Sequence, residues 1–111
     1  LVGFSQGTMM ALHVGLRRAT PPAAILGYSG ILVGPEHLGE ATGKPPILLV
    51  HGDRDEVIPI DAVFMSSDAL GKAEIGGQYH LSLGTAHGID GGGLKHGGLF
   101  LAKALTGKTP N

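Results

Sequence analysis

Gly3-Phe4-Ser5-Gln6-Gly7 is the stretch on which the reading of the chain turns. The apolar pair Leu1-Val2 precedes it and a helical pattern follows. Together they predict a strand end, a one-residue turn and a helix start. A G-x-S-x-G pattern at such a junction lifts the serine hydroxyl out of the sheet. Glycine is expected at positions 3 and 7 because side chains there would strike the neighbouring strand and helix. A helix start also presents backbone N–H groups without intrahelical acceptors, and Gln6 would offer one to an oxyanion. Of the five serines, only Ser5 has glycine two residues away on both sides, which makes it the candidate nucleophile.

Outward from this stretch, the pattern is that of alternating strands and helices. Gln6 to about Arg18 reads as a helix, with Met9, Leu12 and Leu16 in one apolar line and Met10 and Val14 widening it. Arg17 and Arg18 would complement its negative end, and Thr20-Pro21-Pro22 would stop it. Ala23 to Tyr28 and Pro46 to Val50 are apolar runs without alternation, as expected of parallel strands covered on both faces. The glycine- and proline-rich segment from Ser29 to Pro45 reads as loop, its apolar patch Ile31-Leu32-Val33 joining the core. A second helix is expected from a capping Asp61 to Leu70, closed by Gly71. Gln78 to Leu83 alternates, with Tyr79, Leu81 and Leu83 opposite Gln78, His80 and Ser82, so it reads as a strand near the sheet edge with one solvated face. Asp90 can cap a final helix reaching Leu105, packed through Leu94, Leu99, Leu101, Ala102 and Leu105. The glycines at 91–93 make its start a loosely held one.

Composition narrows the partners. With 111 residues the chain holds one domain at most. A net charge of −1 gives no reason to expect nucleic acid or an anionic membrane surface. No apolar run approaches the roughly 20 residues needed for stable membrane insertion. The absence of cysteine excludes disulfides, thiolate metal ligands and a cysteine nucleophile, and favours a reducing cytoplasm. Because the first residues read as the end of a strand, the chain is expected to be a portion of a longer protein.

Three polar positions follow three strand-like runs: Ser5, one of Asp53 and Asp55, and His87 within Gly84-Thr85-Ala86-His87-Gly88-Ile89. A serine hydroxyl needs a base to become a nucleophile, and imidazole is basic near neutral pH without being permanently charged. A carboxylate then fixes the imidazole tautomer and stabilises the imidazolium. Placing all three after strand ends brings them to one rim of the sheet. Spacing alone does not choose between the two aspartates. Among the other histidines, His51 is expected to order the loop beside the acid. His13 would pack or be solvated on the first helix, His80 would be exposed, and His37 and His96 lie in surface segments. A zinc site from His80, His87 and His96 matches no familiar ligand spacing, so no metal is expected.

The Gly3–Gly7 pentapeptide, His51-Gly52-Asp53-Arg54-Asp55-Glu56-Val57-Ile58-Pro59 and the 84–89 block resemble the three signature blocks of the carboxylesterase/phospholipase family of α/β-hydrolases, which includes acyl-protein thioesterase-like esterases. Thr8 stands where that family usually carries a second glycine. The resemblance implies an α/β-hydrolase fold, of which residues 1–111 would be the C-terminal portion. It implies Ser5 as nucleophile, Asp55 as the acid, His87 as the base and the Gln6 N–H as an oxyanion donor. It further implies carboxylic ester substrates, with lysophospholipids or acyl thioesters as narrower options, and no cofactor. A same-fold peptidase or lactone hydrolase, and a non-catalytic hydrolase-like interaction domain, are the alternatives. On this reading the 111 residues alone lack the second oxyanion donor and leave a raw sheet edge, so they are expected to be poorly active or prone to aggregate.

Overall fold

The computed structural model describes residues 1–20, 22–32, 35–75 and 77–106, and of residues 35–37 only the backbone. Pro21, Val33 and Gly34, expected in the helix stop and the apolar loop, lie outside the described residues, as does the side chain of His37. Four parallel strands form one sheet in the order β1 (Val2–Phe4), β2 (Ile25–Tyr28), β3 (Ile47–Gly52) and β4 (Gly77–Ser82). Helix α1 (Gln6–Gly15) joins β1 to β2, and α2 (Asp61–Lys72) joins β3 to β4. Helix α3 (Gly91–Thr106) follows β4. The segment between β2 and β3 holds a short 3-10 helix, Pro35–Glu40, where the sequence suggested only loop.

The two faces of the sheet follow from the twofold alternation of strand side chains. Ile25, Ile47 and Leu49 point to one face, where they pack with Leu12 of α1 and Leu16 just after it, and with Leu70 of α2 and Ile75 just after that helix. Leu26, Tyr28, Leu48 and Val50 point to the other, beneath Phe100 and Leu101 of α3. Both faces being covered, β2 and β3 are buried at every position, which is why their sequences do not alternate. Leu12 and Ile25 are fully buried, each contributing about 1.5–3 kcal/mol of transfer free energy.

Several boundaries differ from the sequence reading. α1 ends at Gly15, so Arg17 and Arg18 lie beyond it, and Met10 and Val14 are exposed. The carbonyl of Leu16 is instead taken by the Thr42 N–H at 2.7 Å, which draws the chain off the helical ladder. Asp61 begins α2 without capping it, and Ile60 holds the cap position. That helix continues through Gly71, and Glu74 takes the left-handed turn (φ 60°), letting the Ile75 N–H return to the Leu70 carbonyl. In β4 the face of His80 and Ser82 is turned toward α3, while Tyr79 packs edge-on against Phe64 of α2. Ser82 is therefore buried and Leu83, past the strand end, is exposed. Leu94 and Leu105 are exposed as well.

Asp90 does cap α3, accepting the Gly93 N–H at 2.7 Å and the Ser82 hydroxyl at 2.8 Å. Two glycines of α3, Gly93 and Gly97, are packing residues, so the helix start is tied to the sheet at Gly93, whereas a Cβ on Gly91 or Gly98 would meet nothing within 4 Å among the described residues. A Cβ on Gly93 would lie 2.9 Å from Val50 Cγ1, and one on Gly97 would overlap the Tyr28 hydroxyl. Their absence lets the helix axis approach the sheet closely. No helix among the described residues is long and apolar enough to cross a membrane.

Candidate active site

The Gly3–Gly7 segment forms the strand–turn–helix junction that its pattern predicts. Ser5 adopts φ 55° and ψ −117°, between β1 and α1, in a region that non-glycine residues rarely occupy. Gly3 is required there, since a Cβ would come within 2.5 Å of the Gly7 carbonyl. Gly7 is not: a Cβ on it would meet nothing within 4 Å among the described residues, so the steric reason holds for only one of the pair. The Thr8 and Met9 N–H groups return to the Ser5 carbonyl, and Gln6 is the first residue of the helix.

His51 and Gly52 complete β3 rather than following it, so the turn carrying both aspartates starts at the strand's carboxyl end. The two carboxylates divide their work. Asp53 Oδ1 accepts the Gly84 N–H at 2.7 Å, tying its turn to the loop after β4 instead of closing a local turn. Asp55 makes the local turn itself, its Oδ1 accepting the N–H groups of Val57 and Ile58 at 2.8 Å each. Its Oδ2 lies 2.7 Å from Nδ1 of His87. Burial pushes the Asp55 carboxyl up, but the Ile58 N–H, the His87 imidazole and the Val57 N–H favour the anion, and the balance lies below the ordinary carboxylate value.

His87 Nε2 lies 2.9 Å from Ser5 Oγ. With Nδ1–H donating to the carboxylate, Nε2 is left with its lone pair toward the serine hydroxyl. The structure thus joins Ser5, His87 and Asp55 in one hydrogen-bonded line across the carboxyl ends of β1, β3 and β4. Phe4 stands beside it, its ring centroid 5.2 Å from that of His87. His51 is fully buried and its Nε2 donates to the Ile58 carbonyl at 2.7 Å, 3.4 Å from Asp55 Oδ2, which is the ordering role its position suggested. His13 and His96 are exposed, and His80 stacks on His96 with ring centroids 4.1 Å apart. Among the described residues no group of three metal-ligating side chains converges.

Sequence reasoning missed the roles of three residues. Gly52 admits the loop that carries His87, because a Cβ there would lie 2.5 Å from the Ala86 carbonyl oxygen. Its place after His51 in the H-G-x-x-D block was the signal. Thr8 is fully buried and donates to the Tyr28 carbonyl at 2.8 Å. Ser29, also fully buried, donates to the Gly88 carbonyl at 2.9 Å. Neither has a signal in its own sequence neighbourhood, since both contacts join residues far apart in the chain.

The same arrangement of strands and helices recurs in known proteins. The crystal structure of esterase PE8 superposes with a TM-score of 0.89 at 44% identity, over 94% of this chain and 49% of that one. Arabidopsis thaliana SOBER1 shares the fold, with a TM-score of 0.88 at 22% identity over 95% of this chain and 52% of that one. Acyl-protein thioesterase 1 of Schizosaccharomyces pombe is 38% identical over 61 residues, covering 51% of this chain and 27% of that protein. The chain therefore spans about half the length of these solved structures, and the segments matched in the curated relatives cover about a quarter of those proteins. A sequence profile of the phospholipase/carboxylesterase family matches residues 1–105, and the chain belongs to that family of α/β-hydrolases.

Proposed function

We propose that this chain supplies the reacting residues of a serine hydrolase that cleaves carboxylic esters, and that it forms the C-terminal portion of the hydrolase domain. The observation that carries the reading is the continuous line from Ser5 Oγ to His87 Nε2 at 2.9 Å and from His87 Nδ1 to Asp55 Oδ2 at 2.7 Å. Ser5 Oγ attacks the ester carbonyl carbon while His87 Nε2 takes its proton. The developing imidazolium is stabilised by Asp55, held as the anion by two backbone N–H groups. The Gln6 N–H, at the head of α1, donates to the oxyanion. Collapse of that intermediate breaks the carbonyl carbon–oxygen bond, and the proton on His87 passes to the departing alkoxide. Water then adds to the acyl-enzyme by the same route, releasing the acid and restoring Ser5.

Similarity to an esterase and, over half the chain, to an acyl-protein thioesterase supports carboxylic esters as the broad class and acyl thioesters or lysophospholipids as narrower ones. The test is fluorophosphonate labelling of the complete natural protein with turnover of p-nitrophenyl esters of graded acyl length. Labelling that vanishes in Ser5→Ala and falls sharply in His87→Ala is expected. A folded protein that neither labels nor turns over any ester would overturn the reading in favour of a non-catalytic interaction domain.

A further inference from the structure

Two buried hydroxyls outside the Ser5–His87–Asp55 line converge on one strand end. The carbonyl of Tyr28, the last residue of β2, accepts the Ser5 N–H at 2.8 Å and the Thr8 hydroxyl at 2.8 Å. Ser29, the next residue, turns with φ 51°, gives its N–H to the Val50 carbonyl at 2.8 Å and its hydroxyl to the Gly88 carbonyl at 2.9 Å. Gly88 directly follows His87. One dipeptide therefore holds both the segment that carries the serine and the loop that carries the imidazole.

We infer that the Tyr28–Ser29 strand end sets the Ser5 Oγ to His87 Nε2 distance, with Thr8 and Ser29 as positioning residues on the nucleophile and base sides. The inference rests on the hydrolase reading above. Ser5 occupies a backbone region costing on the order of 1–3 kcal/mol, which persists only where its surroundings over-determine it. Thr8 supplies part of that constraint through its hydroxyl and part through its shape. A Cβ on Gly27 would lie 2.5 Å from Thr8 Cγ2, and one on Gly30 would lie 2.5 Å from both Thr8 Cβ and the Ser5 carbonyl oxygen. The first turn of α1 is thus seated in a notch left by two glycines. On the base side, His87 lies in irregular chain between β4 and α3, so the Ser29 hydroxyl ties that loop to the sheet. Misplacing reacting groups by about 1 Å can cost on the order of 10²-fold in rate.

The experiment compares Thr8→Val, Thr8→Ser, Ser29→Ala, the Thr8→Val/Ser29→Ala double variant and Ser5→Ala in the complete natural protein. Ser66→Ala serves as a structural control, because its buried hydroxyl donates to the Ala62 carbonyl and accepts the Leu32 N–H, outside this bracket. The readouts are kcat, KM, the pH profile and the fluorophosphonate labelling rate, at a temperature where every variant is folded. Thr8→Val and Ser29→Ala are each expected to lower kcat and labelling about tenfold, with KM within about twofold. The pH profile should not move, since the His87–Asp55 bond is untouched, and Thr8→Ser should recover most of kcat. The double variant should lose less than the product of the single losses, because both relax the same distance. The inference is overturned if both single variants keep wild-type kcat and labelling, as Ser66→Ala should, while Ser5→Ala abolishes labelling. Labelling that survives in Ser5→Ala would instead overturn the hydrolase reading and this inference with it.

Discussion

Asp55 turns its two oxygens to different partners: Oδ2 lies 2.7 Å from His87 Nδ1, while Oδ1 accepts the N–H groups of Val57 and Ile58. This fixes how an amide would sit in its place. In Asp55→Asn the side-chain carbonyl must keep the Oδ1 position, or two backbone donors would face an NH2 group. The NH2 would then point at Nδ1 of His87 and force the ring proton onto Nε2, which could no longer accept from Ser5. A kcat loss of about 10⁴ is expected with the fold retained. Kinetics combined with thermal unfolding tests this. A variant that folds normally and keeps kcat within tenfold would show that Asp55 does not set the tautomer.

Asp55 and Asp90 also predict how stability responds to acid. Desolvation raises the Asp55 carboxyl, but hydrogen bonds from Ile58, His87 and Val57 bring it below its ordinary value. Asp90 is lowered chiefly by the Gly93 N–H, then by the Ser82 hydroxyl. A carboxylate with a depressed folded-state pKa stabilises the fold fully above its unfolded value, about 3.9, and loses that contribution as pH falls through the folded value. Urea midpoints should therefore hold steady above about pH 5 and drop progressively below about pH 4. Asp90→Asn, which can still accept from Gly93, should flatten that drop. An acid limb as steep as the wild type's would mean Asp90 does not contribute.

Helix α3 offers two neighbouring glycines with opposite expectations. A Cβ on Gly97 would overlap the Tyr28 hydroxyl and lie 3.0 Å from Leu26 Cδ2, whereas one on Gly98 would meet nothing within 4 Å. Both substitutions gain up to about 1 kcal/mol of helix propensity. For Gly98→Ala that gain should appear as added stability. For Gly97→Ala, overpacking of about 1–3 kcal/mol should exceed it and push α3 off the sheet. Denaturant unfolding of the two variants decides the matter, and equal effects of the same sign would refute the close-packed reading.

Much of this arrangement was legible because it depends on local pattern. The non-alternating runs at Ile25–Tyr28 and Ile47–Val50 carry the signature of strands covered on both faces, and Ser5, Asp55 and His87 each follow a strand end, which brings them to one rim. What escaped depends on partners distant in sequence. The alternation at Tyr79–Leu83 suggested a solvated polar face, but α3 returns to cover it, so Ser82 is buried against Asp90. The glycines at 93 and 97 look like weak points of a helix until the sheet beneath them is known. Thr8 shows the same thing, since the notch that accommodates it is made by Gly27 and Gly30 on another element.

Gly52 and Asp53 separate steric from polar control of the loop that carries His87. At Gly52 a Cβ would lie 2.5 Å from the Ala86 carbonyl oxygen, and nearer still to that of Thr85, whose oxygen accepts the Arg54 N–H at 3.0 Å. Both are backbone atoms of the segment just before His87, so they cannot yield by a change of rotamer. Gly52→Ala should cost about 3 kcal/mol, at the upper end for overpacking, and should draw His87 away from Asp55 and Ser5. Asp53→Ala removes only the bond to the Gly84 N–H at an exposed position, expected to cost about 1 kcal/mol or less. Fluorophosphonate labelling should therefore fall at least tenfold in Gly52→Ala and stay within about threefold of wild type in Asp53→Ala. If Asp53→Ala were instead the more damaging of the two, the loop would be held by that carboxylate rather than by the missing side chain at Gly52.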